Sequence, residues 1–442
     1  MNTIAAPQTS VFRFPTISAY RLVISYVLLL PLIFFAVRGS FSFQYAETNN
    51  GTNGAYGSLV NPSAGKGSLA HSAEMLLVYG IALLAMAPIW KQMVSACRQN
   101  KLLLALPAWA ILSTFWSQEP SRTAAFAIMA LVNTVFALYL AERFRPNQQM
   151  QLFLLAGTVL ALVSLAVIIV YPNAGVDHKN ATIGWQGIFP HKNICALVMV
   201  AFLLPAFIQP FRGKFSTLRR TFYIVLLTVL IAGTTSRTGW IVGALSIAFV
   251  YFLKTLRKTR KLERAVILFV VPSVIAALIG LVTVYKAEIL ALLGKSSTLS
   301  GRTIIWAAVF LSILKRPFLG FGYDAFWIGF KGEAVNLALA TGDTGLSNAE
   351  NGILQLWLEI GLVGVLLLSL LLLRTCRNAI ICFRSDSPGY VIWYISLLFI
   401  TLLALVDGDK FMFPHAIEWT MYVLADAGLA MEAKRILATS TA

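Results

Sequence analysis

Apolar residues occur along this chain in long unbroken blocks separated by short polar stretches, without the two-residue alternation of a membrane barrel strand. About 20 consecutive apolar residues suffice for a helix to cross a hydrocarbon core roughly 30 Å thick. With some slack on that length, twelve blocks qualify and predict spans at about 20–37, 73–90, 102–116, 123–141, 151–171, 193–210, 221–235, 238–254, 265–284, 352–373, 390–406 and 416–431. Lipid offers the backbone no hydrogen-bond partners, so continuous blocks of this length read as helices. The expected fold is all-α: one polytopic membrane domain over 1–442 with about 12 transmembrane helices. Two outer loops are long. The first, about 38–72, is rich in Asn, Gly and Ser; the second, about 285–350, carries its own short helix, Thr303 to Leu314, broken by Arg316-Pro317-Phe318-Leu319-Gly320-Phe321-Gly322.

Composition agrees: 58% of the 442 residues are hydrophobic and 12% charged, which excludes the soluble classes. The formal charge of +17 sits in short clusters between apolar blocks rather than on one continuous face, so it reads as topology and no nucleic-acid partner is expected. With the N-terminus inside, 22 of the 35 Lys and Arg residues fall on inner segments, and both termini are expected in the cytoplasm. The strongest cluster is Lys254, Arg257, Lys258, Arg260, Lys261 and Arg264. The first apolar block follows Arg13 and Arg21 like a signal sequence, yet it lacks a small-residue cleavage site and is expected to be retained. Cys97, Cys195, Cys376 and Cys382 form no C-x-x-C pair, and neither a disulfide nor a zinc site is expected.

Ionisable residues beside or within lipid are costly and therefore informative. Four places stand out, all on the outer side of the expected topology: Gly187-Ile188-Phe189-Pro190-His191-Lys192-Asn193, Thr234-Thr235-Ser236-Arg237-Thr238-Gly239, Gly301-Arg302-Thr303-Ile304-Ile305-Trp306, and Asn348-Ala349-Glu350-Asn351-Gly352. Three carry cations and one a carboxylate, a combination suited to an outward cavity holding a phosphate-bearing ligand beside a base. Arg suits a diphosphate because its planar fork donates two parallel hydrogen bonds. Arg302 opens a helix, whose first N–H groups also favour an anion. The plainer alternatives are an Arg237 that snorkels to headgroups, a solvated Arg302, His191 and Lys192 as interfacial anchors, Glu350 as a helix N-terminal charge, and Trp306 and Trp327 as interface aromatics. Asp407-Gly408-Asp409 has the spacing of a metal-holding pair but is too short to carry that reading, and no metal or cofactor is expected. Walker A, Rossmann and H-E-x-x-H patterns are not found in the sequence.

In this order G-I-F-P-H-K-N, T-S-R-T-G-W, G-R-T-I-I-W, R-P-F-L-G-F-G and E-N-G-I-L-Q-L-W-L-E-I-G-L-V-G, within about 185–365, resemble the O-antigen ligase and polymerase superfamily, and within it the bacterial exopolysaccharide polymerases of the succinoglycan type. The resemblance implies a metal-independent, inverting glycosyltransferase of the inner membrane, acting on undecaprenyl-diphosphate-linked oligosaccharides at the periplasmic face alongside a flippase and a chain-length regulator. It places phosphate binding on Arg237 and Arg302 and the ligase signature on Glu350, Asn351, Gly361 and Gly364, with Glu350 standing where that signature has His. The expected catalytic residues are Glu350, Arg302 and Arg237; His191, Lys192, Asn193, Asn351 and Trp306 are expected to bind substrate. The alternatives are a ligase that moves glycan onto lipid A core and, in another class, a secondary transporter or flippase. A carrier is disfavoured by the expectation that several spans hold no deep charge.

Overall fold

Helices dominate because most of these segments have only their own backbone to bond to. The computed structural model describes residues 27–38, 69–178, 183–211, 213–259, 302–328, 332–341, 348–384, 389–407 and 411–440. Their helices are α1 (Leu29–Ala36), α2 (Leu69–Met86), α3 (Trp90–Gln99), α4 (Lys101–Leu112), α5 (Pro120–Arg143), α6 (Pro146–Val170), the single turn α7 (Pro172–Gly175), α8 (Lys192–Ile208), α9 (Ser216–Gly233), α10 (Arg237–Lys258), α11 (Arg302–Lys315), α12 (Glu333–Thr341), α13 (Gly352–Arg384), α14 (Val391–Asp407) and α15 (Ile417–Ser440). Between α7 and α8, Val176–Asp177 (β1) and Gly184–Trp185 (β2) form a two-residue antiparallel hairpin. Local chemistry marks the ends. Pro120 and Pro146 open α5 and α6, where no N–H is needed, and Pro210 follows the end of α8.

The described parts of the expected spans are mostly helical, but among the described residues the helices with the length and apolarity of a crossing number fewer than twelve. Among those residues six helical segments are long and apolar enough to cross a membrane: Ala73–Gln99, Pro120–Arg143, Pro146–Val170, Ser216–Gly233, Arg237–Lys258 and Gly352–Arg384; Lys101–Trp116, Lys192–Ile208 and Val391–Val406 are shorter apolar helices. The ninth expected span, residues 39–68 of the first outer loop, and Gly408 and Asp409 lie outside the described residues, while residues 69–72, expected in that loop, already belong to α2. Among its described residues the second outer segment holds two helices rather than one, α12 being joined to the end of α11 by a 2.5 Å ion pair between Lys315 and Glu333.

The main core centres on α15, whose first four turns are buried almost all round, as expected of a helix inside a bundle. Polar side chains tie it to its neighbours: Trp419 Nε1 donates to Thr134 Oγ1 at 2.8 Å and Thr420 Oγ1 to Asn133 Oδ1 at 2.7 Å on α5, while Thr375 of α13 donates to Asp426 at 2.6 Å. A second, smaller core forms where α11, α12 and the start of α13 meet, from Val309, Ile313, Phe321, Phe326, Leu337 and Leu358. It carries the residues of greatest chemical interest.

The expectation that spans hold no deep charge is corrected here. Glu359 in α13 and Asp426 in α15 are both buried, and Asp426 pairs with Arg374 of α13. The apolar blocks around them concealed these residues. The burial of Asp426 is sustainable because Arg374 and the Thr375 hydroxyl both meet its carboxylate.

Candidate active site

Arg302 is the first residue of α11, and Glu350 lies just before α13. The smaller core brings these helices together, so that Arg302 Nη2 stands 3.1 Å from Glu350 Oε2, with both side chains about one third exposed. Several local contacts hold the carboxylate there. Glu350 adopts φ +50°, a left-handed conformation that an ordinary side chain resists. Asn348 Oδ1 accepts the Glu350 N–H at 2.7 Å, and Trp306, one turn along α11 from Arg302, donates its indole N–H to the Glu350 carbonyl at 3.2 Å. Asn351 Oδ1 accepts from the N–H groups of Ile353 and Leu354 at 3.0 and 3.1 Å, an N-cap that starts α13 immediately after the pair. Beneath the loop, Gln355 Oε1 accepts from Ala349 N at 2.8 Å and from Trp327 Nε1 at 3.0 Å.

The helix that begins here does not run straight. At Ile360 and Gly361 its backbone leaves helical geometry, Gly361 having φ 72° and ψ −175°, a region essentially open to glycine alone. The segment Arg316–Gly322 docks into the break. Phe321 N donates to Leu358 O at 3.0 Å, Gly322 N to Glu359 O at 2.8 Å, and Leu362 N to Pro317 O at 2.8 Å. A broken helix in an apolar setting needs such backbone replacement. The approach is close: a Cβ on Gly361 would overlap Phe318 O, and one on Gly320 would lie 2.5 Å from Glu359 O. Indole donors secure the same strap, Trp116 to Leu319 O and Trp357 to Pro317 O, each at 2.8 Å, and Trp109 to Ile360 O at 2.9 Å. The R-P-F-L-G-F-G and E-I-G-L-V-G motifs are thus two halves of one structural joint. Below it, Tyr323, Asp324, Gln355, Glu359 and Phe411 line a small cavity. Arg122 of α5 binds Asp324 through Nη2 at 2.6 Å and Nε at 3.0 Å. Burial, with the carboxylates of Glu359 and Asp324 near, pushes the Tyr323 phenol well above its ordinary range, and its O–H donates to Met412 O.

The other expected residues gather around the β hairpin. His191 is the N-cap of α8: its Nδ1 accepts the Asn193 N–H at 3.2 Å, which leaves Nε2 to carry the ring proton toward Asp177 Oδ2, 3.8 Å away. Lys192, buried, extends Nζ to 3.9 Å from the same oxygen. Arg237 opens α10 and is exposed. The turn before it is fixed by Thr235, at φ +53°, which donates to Ile183 O at 2.9 Å, and by Ser236, whose Oγ caps Gly239 N at 3.1 Å. Thr235 therefore ties the start of α10 to the hairpin that carries Asp177.

The structure thus brings Arg302, Trp306, Glu350 and Asn351 together, and separately His191 and Lys192 toward Asp177, with Asn193 joined to His191 through its backbone N–H and Arg237 exposed at the start of α10. Trp306 and Asn351 commit their polar atoms to the loop and the helix start, which gives both a supporting task. Sequence reasoning missed Asp177, Gln355, Glu359 and the Arg122–Asp324 pair, and it named Asn348 within its motif without giving it a task. A polar residue at each end of one helical turn, Gln355 and Glu359 in an otherwise apolar run, was the signal available for two of them.

Comparison with known proteins adds an independent line. Residues 222–369 match the family model described as O-antigen ligase, a stretch that contains Arg237, Arg302, Trp306, Glu350 and Asn351. The chain is also 24% identical over 308 residues, 68% of its own length and 69% of the relative's, to the exopolysaccharide production protein ExoQ of Rhizobium meliloti (strain 1021). Both support the family that the motifs resemble.

Proposed function

We propose that this chain, which carries an O-antigen ligase domain and is similar to an exopolysaccharide production protein, polymerises lipid-linked oligosaccharides by glycosyl transfer at the periplasmic face of the bacterial inner membrane. A glycosyl-transfer role of the ligase or polymerase type rests on the comparisons; the substrate, the reaction's direction and the residue roles are the proposal. One observation supports it above the rest: a fixed guanidinium and a fixed carboxylate, Arg302 and Glu350, stand 3.1 Å apart at the joint of α11 and α13.

In this reading the donor is an oligosaccharide on undecaprenyl diphosphate. A hydroxyl oxygen of the acceptor sugar attacks the anomeric carbon, a new glycosidic bond forms with inversion, and the bond from that carbon to the diphosphate oxygen breaks. Negative charge grows on the leaving diphosphate. Arg302 meets it as a fixed cation; Arg237 and Lys192 add to the positive field, and His191, neutral with Nδ1 accepting, offers its Nε2–H, so that electrostatic preorganisation takes the place of a divalent metal. When the diphosphate engages Arg302, Glu350 turns from its ion pair to the acceptor hydroxyl and takes the proton, a contribution typically of about 10² to 10⁴ fold. Undecaprenyl diphosphate leaves. Glu350 in place of the ligase signature's His favours a polymerase over transfer to lipid A core.

The test is the size profile of secreted polysaccharide, carrier-linked glycan and lipopolysaccharide from a strain lacking the gene, with and without complementation. Loss of long polymer, with single repeats accumulating on the carrier and lipopolysaccharide unchanged, is the expected result. Loss of capped lipopolysaccharide with long carrier-linked chains retained makes the protein a ligase, and an unchanged profile of all three overturns the reading.

A further inference from the structure

Gln355 and Glu359 are both buried on the first half of α13, one turn apart, below the loop that presents Glu350. The Gln355 carboxamide oxygen faces two donors that cannot reverse, the Ala349 backbone N–H at 2.8 Å and the Trp327 indole N–H at 3.0 Å. Its nitrogen must therefore face the other way, and there Glu359 Oε1 accepts at 2.5 Å. A carboxylate only accepts, so Glu359 reinforces the amide orientation that the Ala349 and Trp327 N–H groups already require, and it satisfies the buried nitrogen of Gln355. The residue after Ala349 is Glu350, with φ +50°. A left-handed non-glycine persists only where its surroundings over-determine it.

We propose that Gln355 is a positioning residue for the glycosyl-transfer centre, its amide nitrogen satisfied by the buried carboxylate of Glu359, and that together they hold the Asn348–Glu350 loop so that Glu350 meets Arg302. The assignment rests on the function proposed above for Glu350 and adds residues that lie beneath the centre and touch no reacting atom. Glu359 also sits where α13 breaks, its carbonyl receiving Gly322 N at 2.8 Å, so the same residue links the strap to the loop. A displacement of about 1 Å in a catalytic group lowers rates on the order of 10² fold, which sets the scale of the effect.

The test uses the full-length protein in detergent and in proteoliposomes, with hydrogen exchange of peptides covering 348–354 and steady-state turnover of a lipid-diphosphate-linked oligosaccharide. Glu359→Leu removes the acceptor and leaves the buried amide nitrogen of Gln355 unsatisfied; Gln355→Glu sets two carboxylates against each other. The combined Gln355→Glu, Glu359→Gln variant restores the pattern: the carboxylate now at position 355 accepts from Ala349, Trp327 and the amide now at position 359. Each single variant is expected to lose protection at Ala349 and Glu350, with kcat lower by about tenfold to a hundredfold and KM within about twofold. The combined variant is expected to regain protection and at least half of the lost rate on a logarithmic scale. Single variants with wild-type protection in 348–354 overturn the proposal, as does a combined variant no better than the singles. Because exchange is read without turnover, a wild-type protein that exchanges as described but transfers no sugar refutes the proposed function and leaves the loop's anchoring intact.

Discussion

Arg302 and Glu350, 48 positions apart in the chain, meet at 3.1 Å because α11 and the start of α13 share a small apolar core. Neither side chain is fully buried, so the pair is accessible from outside and exchangeable for a ligand. An exposed pair of this kind contributes little to stability, about 0 to 1 kcal/mol, and its geometry is better explained by what it presents.

Replacing Arg302 separates charge from shape. Arg302→Ala is expected to abolish polymer while leaving the protein at wild-type abundance in the membrane. Arg302→Lys keeps the charge but loses the planar fork, and a rate lower by about tenfold or more is expected from it. Immunoblots of membranes beside polymer profiles check both; wild-type polymer from Arg302→Ala contradicts the role.

Glu350→Gln preserves the shape of the side chain and removes its basicity. Turnover is expected to fall by about 10² to 10⁴ fold, and the decline of rate toward acid pH expected of the wild type should vanish. The sign follows from the chemistry: the base works ionised, so protonation at low pH silences it. Near-normal turnover of the variant across the pH range excludes Glu350 as base.

Gly361→Ala tests the joint between the strap and the broken helix. A methyl group there meets Phe318 O, and the backbone sits where only glycine is at ease. The strain and the clash together are expected to cost about 2 to 5 kcal/mol. Thermal unfolding in detergent and protease sensitivity near 316–322 report it. A variant of wild-type stability shows that the strap is not held as described.

The sequence displays the long helices clearly because each is an extended apolar block, whereas the short α3, α7 and α12 go unnoticed, and it displays Arg302 and Glu350 because charge is rare near such blocks. It conceals the pairing, since nothing local connects residues 48 apart. The break at Gly361 is hidden for a different reason: Gly352 to Leu373 reads as one apolar run, and the lost helical hydrogen bonds are replaced by a segment some 40 residues earlier. Asp177 escapes notice beside the more conspicuous His191 and Lys192, although its carboxylate approaches both. Glu359 is overlooked inside a motif otherwise read for its ends, and Asp426 inside an apolar block whose partner, Arg374, lies on another helix.

The Arg374–Asp426 pair yields an expectation about stability alone. Arg374→Leu leaves a buried carboxylate without its cation and is expected to cost about 3 to 5 kcal/mol, whereas Arg374→Leu with Asp426→Leu is expected to be close to neutral. Melting temperatures of the purified variants distinguish the two; equal losses from both contradict an electrostatic origin.

The central claim is that fixed cations and a carboxylate of this chain perform glycosyl transfer on a lipid-diphosphate donor. It is tested most directly by incubating the purified protein in proteoliposomes, with a metal chelator present, with undecaprenyl-diphosphate-linked oligosaccharide, and resolving the products by size. A ladder of longer carrier-linked glycans from the wild type, lost in Arg302→Ala, is the expected result. Unextended substrate from the wild type, or the same ladder from Arg302→Ala, contradicts the account.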